Sequence, residues 1–285
     1  MKRRYKIRKQ VDSFPVAENS PAIILWQDDP NGTKVLMKMI DESEDLRPFI
    51  VFGSPEFRPT EGIDLNPGGL KRNDSVFLES GKRPGNIFFF GNKPEFCQSE
   101  YIDGMLNILQ DCGTISCIYT ISCIPAQTSH RHPRKSLFIF NSEQCRQRFN
   151  EKFKNIKNKE FSTMPGMPQE APSINLYLAW KAAQRGIDCV NVIIESPFYS
   201  VISEDVAAET EAMRIIKKLT SGRYRKDEKA DLIAQHQKEA LDLIIKRSED
   251  LTDYVEKIES GEMLSFEEMQ LIISEIKRII GEPHD

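Results

Sequence analysis

Two histidines stand in one short polar segment, and of all residues in the chain they are the best suited to acid–base chemistry. His130 and His132 are separated by one arginine and follow Thr128 and Ser129, just after an apolar run that ends at Ile124. Imidazole changes its charge near neutral pH and also binds metals, so the segment could transfer protons or hold a metal ion. Neither histidine has a third His, a nearby Cys or a carboxylate at ligand spacing. A non-catalytic pocket or interface and a plain polar loop therefore stay open as alternatives.

Adjacent carboxylates form the second candidate. Asp28 and Asp29 follow the apolar run 21–26 and precede Asn31 and Gly32. Carboxylates at the end of a strand could bind Mg²⁺ or orient a substrate, because open α/β sheets bind ligands at that edge. The alternative is a turn in which the Asp and Asn side chains cap the next helix.

The sequence contains no phosphate-binding or nucleophile motif. Gly-x4-Gly-Lys-Ser/Thr, Gly-x-Gly-x-x-Gly and Gly-x-Ser-x-Gly are all absent. The Pro-Gly-Gly segment at 67–69 could approach a phosphate, although such a segment is more often only a turn. The six cysteines form no Cys-x-x-Cys pair, and we interpret them as small buried residues in a reducing compartment. A zinc site would lack knuckle spacing, so we expect no cofactor and no bound metal.

Length and charge limit the class of protein. The chain has 285 residues, 39% of them hydrophobic, which suits one large α/β domain with an appendage or two small domains. The net charge of −4 argues against nucleic acid as the main partner. The basic segments 1–9 and 146–159 are the candidates for contact with nucleic acid. In the second segment, however, the helical spacing of Phe149 and Phe153 indicates that they are packing residues. No apolar run approaches the ~20 residues of a membrane span, and we predict a cytoplasmic protein with no signal peptide.

The elements that must position these side chains begin with two stretches of the same form. Each has an amphipathic helix, a glycine stop and an apolar strand, with the glycine at 113 in the stretch 101–124 and at 186 in the stretch 175–195. A helix that ends in Gly and leads into a buried apolar strand is half of a βαβ unit. The two stretches therefore predict an α/β domain.

Weaker patterns predict the remaining elements. Strands are expected at 21–26, 49–52, 87–90 and 137–140, with a hairpin near 76–78 inside a long loop, 53–86, and another loop over 161–172. Helices are expected at 204–219, 230–248, 250–259 and 265–280, with a polar linker over 220–229. The last helix carries an apolar stripe, which we expect to pack on the main domain or on a sister subunit: Met269, Ile272, Ile273, Ile276 and Ile280.

Several short motifs in this order resemble the proteasome assembly chaperone 2 family over about residues 20–280. The segment Pro21–Asp29 is similar to the family's opening strand, and Phe89–Pro94 to its strand and Gly-x-x-Pro turn. Thr120-Ile-Ser with His130 is similar to a strand and its Pro-His turn. Further similarities are Pro165-Gly166, Gly186-Ile187 with Ser196–Tyr199, and Tyr254–Ile258 in the helical part.

The resemblance implies a three-layer α/β/α fold with a mixed central sheet, like that of purine nucleoside phosphorylases, plus a C-terminal helical extension. We divide the chain into an N-terminal arm (1–20), a core domain (21–220) and the helical extension (230–285). The resemblance also implies a scaffold or assembly role in a homo-oligomer with no established chemistry. Some relatives dock on proteasome rings through a C-terminal hydrophobic-Tyr-x motif. This sequence ends Gly281-Glu-Pro-His-Asp285, so docking through the tail is not expected.

The sequence departs from the family pattern at the positions that would line a cleft. Leu25 replaces a Gly, Asp29-Pro30 replaces Ala-Gly, Arg131-His132 replaces Thr-Arg, and Phe198 replaces a His. Any ancestral pocket there has been altered. The motifs and strand ends together define one candidate cleft: Asp28, Asp29, Asn31, Gly91, Asn92, Thr128, His130, His132, Gly166 and Tyr199.

Two functions follow as hypotheses. The first is a non-enzymatic, chaperone-like protein that acts through protein–protein contacts and self-association. The alternative is a nucleoside- or nucleotide-binding protein or enzyme that uses the cleft around Asp28 and His130. Nucleic-acid binding through the basic segments is the least favoured.

Overall fold

A computed structural model gives the fold. It describes residues 6–9, 17–26, 35, 46–53, 64–66, 69–71, 75–80, 86–153, 159–163, 173–202, 205–220 and 228–281. Eleven strands lie in these ranges: β1 Lys6–Lys9, β2 Ala17–Trp26, β3 Leu46–Gly53, β4 Asp64–Asn66, β5 Gly69–Lys71, β6 Ser75–Ser80, β7 Ile87–Gly91, β8 Gly113–Ala126, β9 Ser136–Phe140, β10 Lys159–Thr163 and β11 Cys189–Pro197.

Seven helices alternate with or follow these strands within the same ranges: α1 Gln98–Asp111, α2 Glu143–Lys152, α3 Ile174–Gln184, α4 Val206–Leu219, α5 Glu228–Ile245, α6 Glu249–Ser260 and α7 Phe266–Gly281. A 3₁₀ turn, Phe198–Ile202, connects β11 to the segment before α4.

Nine strands form one mixed sheet in the order β1-β3-β6-β7-β2-β8-β11-β9-β10, and β4 pairs with β5 separately. The four central strands β7, β2, β8 and β11 are parallel, so their carboxyl ends lie at one edge. The pairs β3–β6, β6–β7 and β9–β11 are antiparallel. The predicted α/β class with a mixed sheet is confirmed.

The two helix–glycine–strand stretches have the predicted form. Gly113 has φ 120° and Gly186 has φ 71°. Residues other than glycine rarely adopt this left-handed region, and here it reverses the chain after α1 and α3. The strands that follow, β8 and β11, pair in parallel at the centre of the sheet.

Helices cover both faces of the sheet. On one face α1 and α3 pack on strand residues that include Trp26, Phe89 and Ile118. On the other face α2 and α4 pack on residues that include Tyr119 and Val192. The prediction that Phe149 and Phe153 are packing residues is confirmed, since both belong to the second core.

The helices α5, α6 and α7 form a third apolar core with the 3₁₀ turn. Phe198 and Tyr199 of the turn contact the buried side chains of α6 and α7, among them Val255 and Ile276. The predicted stripe of the last helix is wrong at its end, because Ile279 is buried whereas Ile280 is 44% exposed. The stripe packs within the chain, on the turn and on α6.

Three segments differ from the sequence-based expectation. The loop predicted over 161–172 begins with strand β10, because Phe161 packs on Phe138 and Phe140 while its backbone pairs with β9. Within the loop predicted over 53–86, β6 extends the hairpin to six residues paired on both sides. The polar linker predicted to run to residue 229 gives way to α5 at Glu228.

Candidate functional site

Polar side chains meet where β8 and β11 end at the carboxyl edge of the sheet. The loop that follows β8 carries Thr128, His130 and His132, and the turn after β11 carries Tyr199. The helices α5 and α6 lie over both segments and contribute Asp242 and Glu259. The site is therefore built from four segments that are far apart in the sequence.

His130 is buried and both of its ring nitrogens are hydrogen-bonded. Nδ1 lies 2.9 Å from the Tyr199 hydroxyl, and Nε2 lies 3.1 Å from Oδ1 of Asp242. The backbone N–H of His130 also donates to the Tyr199 oxygen over 3.0 Å. An ionised carboxylate can only accept, so Nε2 carries the proton and Nδ1 accepts from the Tyr199 hydroxyl. In this neutral tautomer each polar atom of the cluster has a partner.

The electrostatics favour that neutral form. Burial lowers the pKa of His130, although the hydrogen bond with Asp242 opposes the shift. Partial burial raises the pKa of Asp242, but the hydrogen bonds from Arg131 and His130 outweigh it and leave the pKa below its usual value. Burial raises the pKa of Tyr199 to about 12.

Arg131 extends the cluster to α6. Its Nε donates to Oδ1 of Asp242 over 2.7 Å, and its Nη1 lies 3.3 Å from Oε2 of Glu259. The Ser129 hydroxyl donates to Oε1 of Glu259 over 2.7 Å. The loop after β8 is thus joined to both α5 and α6 by hydrogen bonds to charged groups.

Gln127 makes the corresponding contact to the start of α7. Its amide donates to the backbone oxygen of Leu264 over 3.0 Å and accepts from the Leu264 N–H over 2.7 Å. The segment 127–131 therefore makes hydrogen bonds to α5, to α6 and to the turn before α7.

A second buried pair fixes the start of α4. Arg134 donates to both carboxylate oxygens of Asp205, from Nε over 2.7 Å and from Nη2 over 3.1 Å. The Ser196 hydroxyl donates to Asp205 as well, and Asp205 caps α4 by accepting from the N–H of Ala208. These contacts bring the end of β11 and the loop after β8 to the N-terminus of α4.

A groove of about 430 Å³ lies between the loop after β8, α4 and α5. Its lining includes His132, Ser200, Thr210 and Lys238. The Oγ1 of Thr210 is buried without a hydrogen-bond partner in the described part of the chain. Ligand pockets typically have volumes of about 300–1,000 Å³, so the groove could admit a small molecule.

Gly91 and Asn92 of the candidate cleft lie at the end of β7, on the other side of β2. A side chain at Gly91 would overlap Ser75, whose hydroxyl is 2.7 Å from that of Tyr101. Asn92 is buried, its backbone oxygen accepts from Tyr101, and its Nδ2 has no partner among the described residues. These two residues support the β7–α1 packing and contact no residue of the His130 cluster in the structure as described.

The structure therefore brings together only part of the predicted cleft. His130 and Tyr199 are in direct contact, His132 is exposed on the rim of the groove, and Thr128 is half-buried in the same loop. Asp28, Asp29, Asn31 and Gly166 lie outside the described residues. Asp242 and Glu259 were missed by the sequence analysis, because no local motif marks a helical carboxylate that meets a residue more than 100 positions away.

The described ranges contain neither a metal-binding cluster nor a membrane-spanning helix. There, no three His, Cys, Asp or Glu side chains are placed to hold a metal ion. No described helix combines the length and apolar character that a membrane crossing requires. The six cysteines are free, and four are buried: Cys112, Cys117, Cys145 and Cys189. Burial raises the pKa of Cys112 to about 12, which fits the prediction of an inert packing residue.

Comparison of the sequence with known proteins gives no match to a protein family and none to a curated protein. Comparison of the fold gives many. The proteasome activator PbaB of Pyrococcus furiosus has a TM-score of 0.62 at 15% identity, covering 85% of this chain and 99% of that one.

Two actinobacterial structures are similar to the same extent. A proteasome-assembly chaperone homologue of Mycobacterium tuberculosis has a TM-score of 0.65 at 12% identity, covering 83% of this chain and 99% of that one. A PAC2 family protein of Streptomyces avermitilis has a TM-score of 0.64 at 12% identity, covering 83% and 100%. The structural neighbours thus include the proteins that the sequence motifs resemble. At these identities the likeness establishes a shared fold and leaves the function to be argued from this chain's own residues.

Proposed function

We propose that this chain is a non-enzymatic, chaperone-like protein of the cytoplasm that acts through protein–protein contacts as a homo-oligomer. The observation that carries the proposal is the state of His130. Both of its ring nitrogens are hydrogen-bonded, to Tyr199 and Asp242, and its side chain is 1% exposed, so this histidine joins the loop to the helices and presents almost no surface to a substrate. The edge of the sheet where α/β enzymes bind substrates is used here to anchor α5, α6 and α7.

The distribution of exposed apolar side chains supports a role in protein contacts. Among the described residues, most of the large apolar side chains that face solvent belong to the C-terminal helices and their connections: Leu232, Ile233, Leu243, Met263, Phe266, Leu271 and Ile280. A helical unit that buries its own core and still exposes such residues is typical of an interaction surface.

The proposal includes the finer organisation that the resemblance implies. The core domain 21–220 has the three-layer arrangement of phosphorylase-like folds, and residues 230–285 form the helical extension that contacts partners. The partners proposed are sister subunits and other proteins, and the structural neighbours named for proteasome activation and assembly support a role in protein contacts; docking on a proteasome ring through the C-terminal tail is not proposed.

A thermal-shift screen with light scattering tests the proposal. The screen covers nucleosides, nucleotides, inorganic phosphate and divalent metals, and light scattering gives the mass of the same sample. We expect a defined oligomer and no ligand-dependent rise in the melting temperature. A dose-dependent rise would overturn the non-enzymatic assignment, because a ligand that binds only the folded state raises stability by mass action.

The groove beside His132 favours the second candidate, a nucleoside or nucleotide binder. It has a suitable volume and is lined by hydroxyl, imidazole, ammonium and guanidinium groups together with the carboxylates of Asp205, Glu211 and Asp231. Its signature would be a thermal shift that His132→Ala abolishes. Because His132 is exposed on the rim, this substitution should leave the fold intact, whereas His130→Ala would confuse binding with stability.

A further inference from the structure

The helix α5 carries apolar side chains on the face that points away from the protein. Leu232 is 55% exposed and Leu243 is 65% exposed. They are eleven residues apart, which is three helical turns, so they lie on one line along the helix. His236 and Glu239 occupy the two positions between them on this line, and both are exposed. We call these four residues the outer face of α5.

The outer face lies opposite the face that anchors the helix. The face toward the protein carries Ala230 and Ile245, the two buried residues of the helix, together with Ala234 and Leu241, which line the groove. A surface helix normally directs polar residues away from its core. Single exposed leucines are ordinary, and what distinguishes these two is their position at the ends of one line around a central polar pair.

The order of side chains along α5 is complementary to itself when reversed. Consider a second copy of α5 that lies antiparallel to the first, with the centre of the contact between residues 237 and 238. In this arrangement Leu232 faces Leu243 and His236 faces Glu239 of the second copy. One turn further out, Glu228 faces Arg247. Each contact occurs twice, as a two-fold axis requires. Glu228 and Arg247 are both exposed, so they are accessible to such a contact.

We propose that α5 is the contact between two copies of this chain, paired antiparallel about a two-fold axis through their outer faces. The inference rests on the proposed function, since it names the surface through which the proposed oligomer forms. Leucines at both ends bury apolar area, and the polar His236–Glu239 pairs between them and the opposite charges of Glu228 and Arg247 beyond them fix the register. An isologous contact of this kind gives assemblies with an even number of copies.

The first test is the mass in solution of the full chain and of two leucine variants. We expect sedimentation equilibrium to give an even number of copies for the parent protein. Leu243→Glu should halve that mass, because each new carboxylate faces Leu232 of the other copy and would be buried there without a counter-charge. Phe96→Glu is the control: Phe96 is 54% exposed before α1, outside the C-terminal helices, and should tolerate the change with no loss of mass. A monomeric or odd-numbered parent, or a Leu243→Glu variant of parental mass, would overturn the proposal.

The second test distinguishes a true contact from a loss of folding. Glu228→Arg and Arg247→Glu should each weaken self-association roughly tenfold at low salt, since each turns two attractive pairs into repulsive ones. The double variant restores opposite charges and should associate as the parent does. Native mass spectrometry of the two single variants mixed together should show mixed dimers in excess over like dimers. The pairing would be contradicted if the double variant associated no more tightly than the weaker single variant. It would also be contradicted if the mixed sample contained mixed and like dimers in the proportions expected from random pairing.

Failure of this proposal and of the proposed function can be told apart. If the parent forms an oligomer that the α5 variants do not change, the interface lies elsewhere and the chaperone-like function stands. If a small ligand stabilises the protein, the non-enzymatic function fails while the masses of the α5 variants still decide the interface.

Discussion

The ring Nε2 of His130 lies 3.1 Å from a carboxylate oxygen of Asp242, which is 112 residues further along the chain. This contact joins the loop at the end of a central strand to the first of three C-terminal helices. His130 is the residue whose type and position most suggest catalysis, and in the folded protein it connects two parts of the fold. Four experiments follow from this arrangement and from its neighbours.

The stability of the protein should fall as the medium becomes mildly acidic. Burial holds the pKa of His130 below its unfolded value of about 6.5, so the unfolded chain binds more protons in that range. The contribution of the neutral ring is fully present above about pH 6.5 and is lost as the pH falls through that value toward the pKa of the folded state. Urea unfolding at pH 7.5 and pH 5.5 measures the difference.

The matched variants for this test are His130→Gln and His132→Gln. His130→Gln should reduce the difference between the two pH values, because it removes the buried titrating group and keeps an amide near Asp242. His132→Gln changes an exposed histidine in the same loop and should leave the difference as it is. Equal pH dependence in both variants would show that His130 is not responsible.

Removing the Tyr199 hydroxyl should destabilise the protein by about 1–3 kcal/mol. Tyr199→Phe leaves the backbone N–H and Nδ1 of His130 buried without their partner. The control is Tyr254→Phe on α6. The Tyr254 side chain is half-buried, and this substitution should cost less than about 0.5 kcal/mol. The free energy of unfolding from urea titrations gives both values, and similar losses for the two would refute the special role of the first hydroxyl.

Neighbouring isoleucines at the end of α7 should differ in their importance. Ile279 is 3% exposed and packs in the third core, so Ile279→Ala should cost about 2–4 kcal/mol. Ile280→Ala should cost less than about 1 kcal/mol, because the side chain is mostly solvated. Chemical unfolding gives both costs, and the reverse order would favour the apolar stripe that the sequence predicts, with Ile280 in the core.

Removing one partner of the buried ion pair Arg134–Asp205 should cost far more stability than removing one partner of an exposed pair. Arg134→Gln leaves the Asp205 carboxylate buried with less charge compensation and should cost about 3–5 kcal/mol. The exposed pair Arg278–Glu275 is the control, and Arg278→Gln should cost about 0–1 kcal/mol. Thermal and urea unfolding measure both, and a cost for Arg134→Gln near that of the control would contradict the burial argument.

Some of these features could be read from the sequence, and the reasons are local. The two helix–glycine–strand stretches were predictable because periodic apolar residues mark each helix and a glycine adopts the left-handed conformation that ends it. The same signals fix the α/β class and the placement of β8 and β11. The polar segment around His130 could be located for the same reason, since it follows an apolar strand at the edge where ligands often bind.

The sequence does not predict which partners those residues contact in the folded protein. No pattern along the chain pairs His130 with Asp242 or Ser129 with Glu259, because each pair forms only when α5 and α6 fold back over the end of the sheet. The choice of Ile279 over Ile280 depends on which side of α7 meets α6 and the 3₁₀ turn. Local propensity and the periodicity of apolar residues can therefore be recognised from the sequence alone. The tertiary structure decides whether a histidine at a strand end meets a substrate or a helix, because burial and partners come from distant segments.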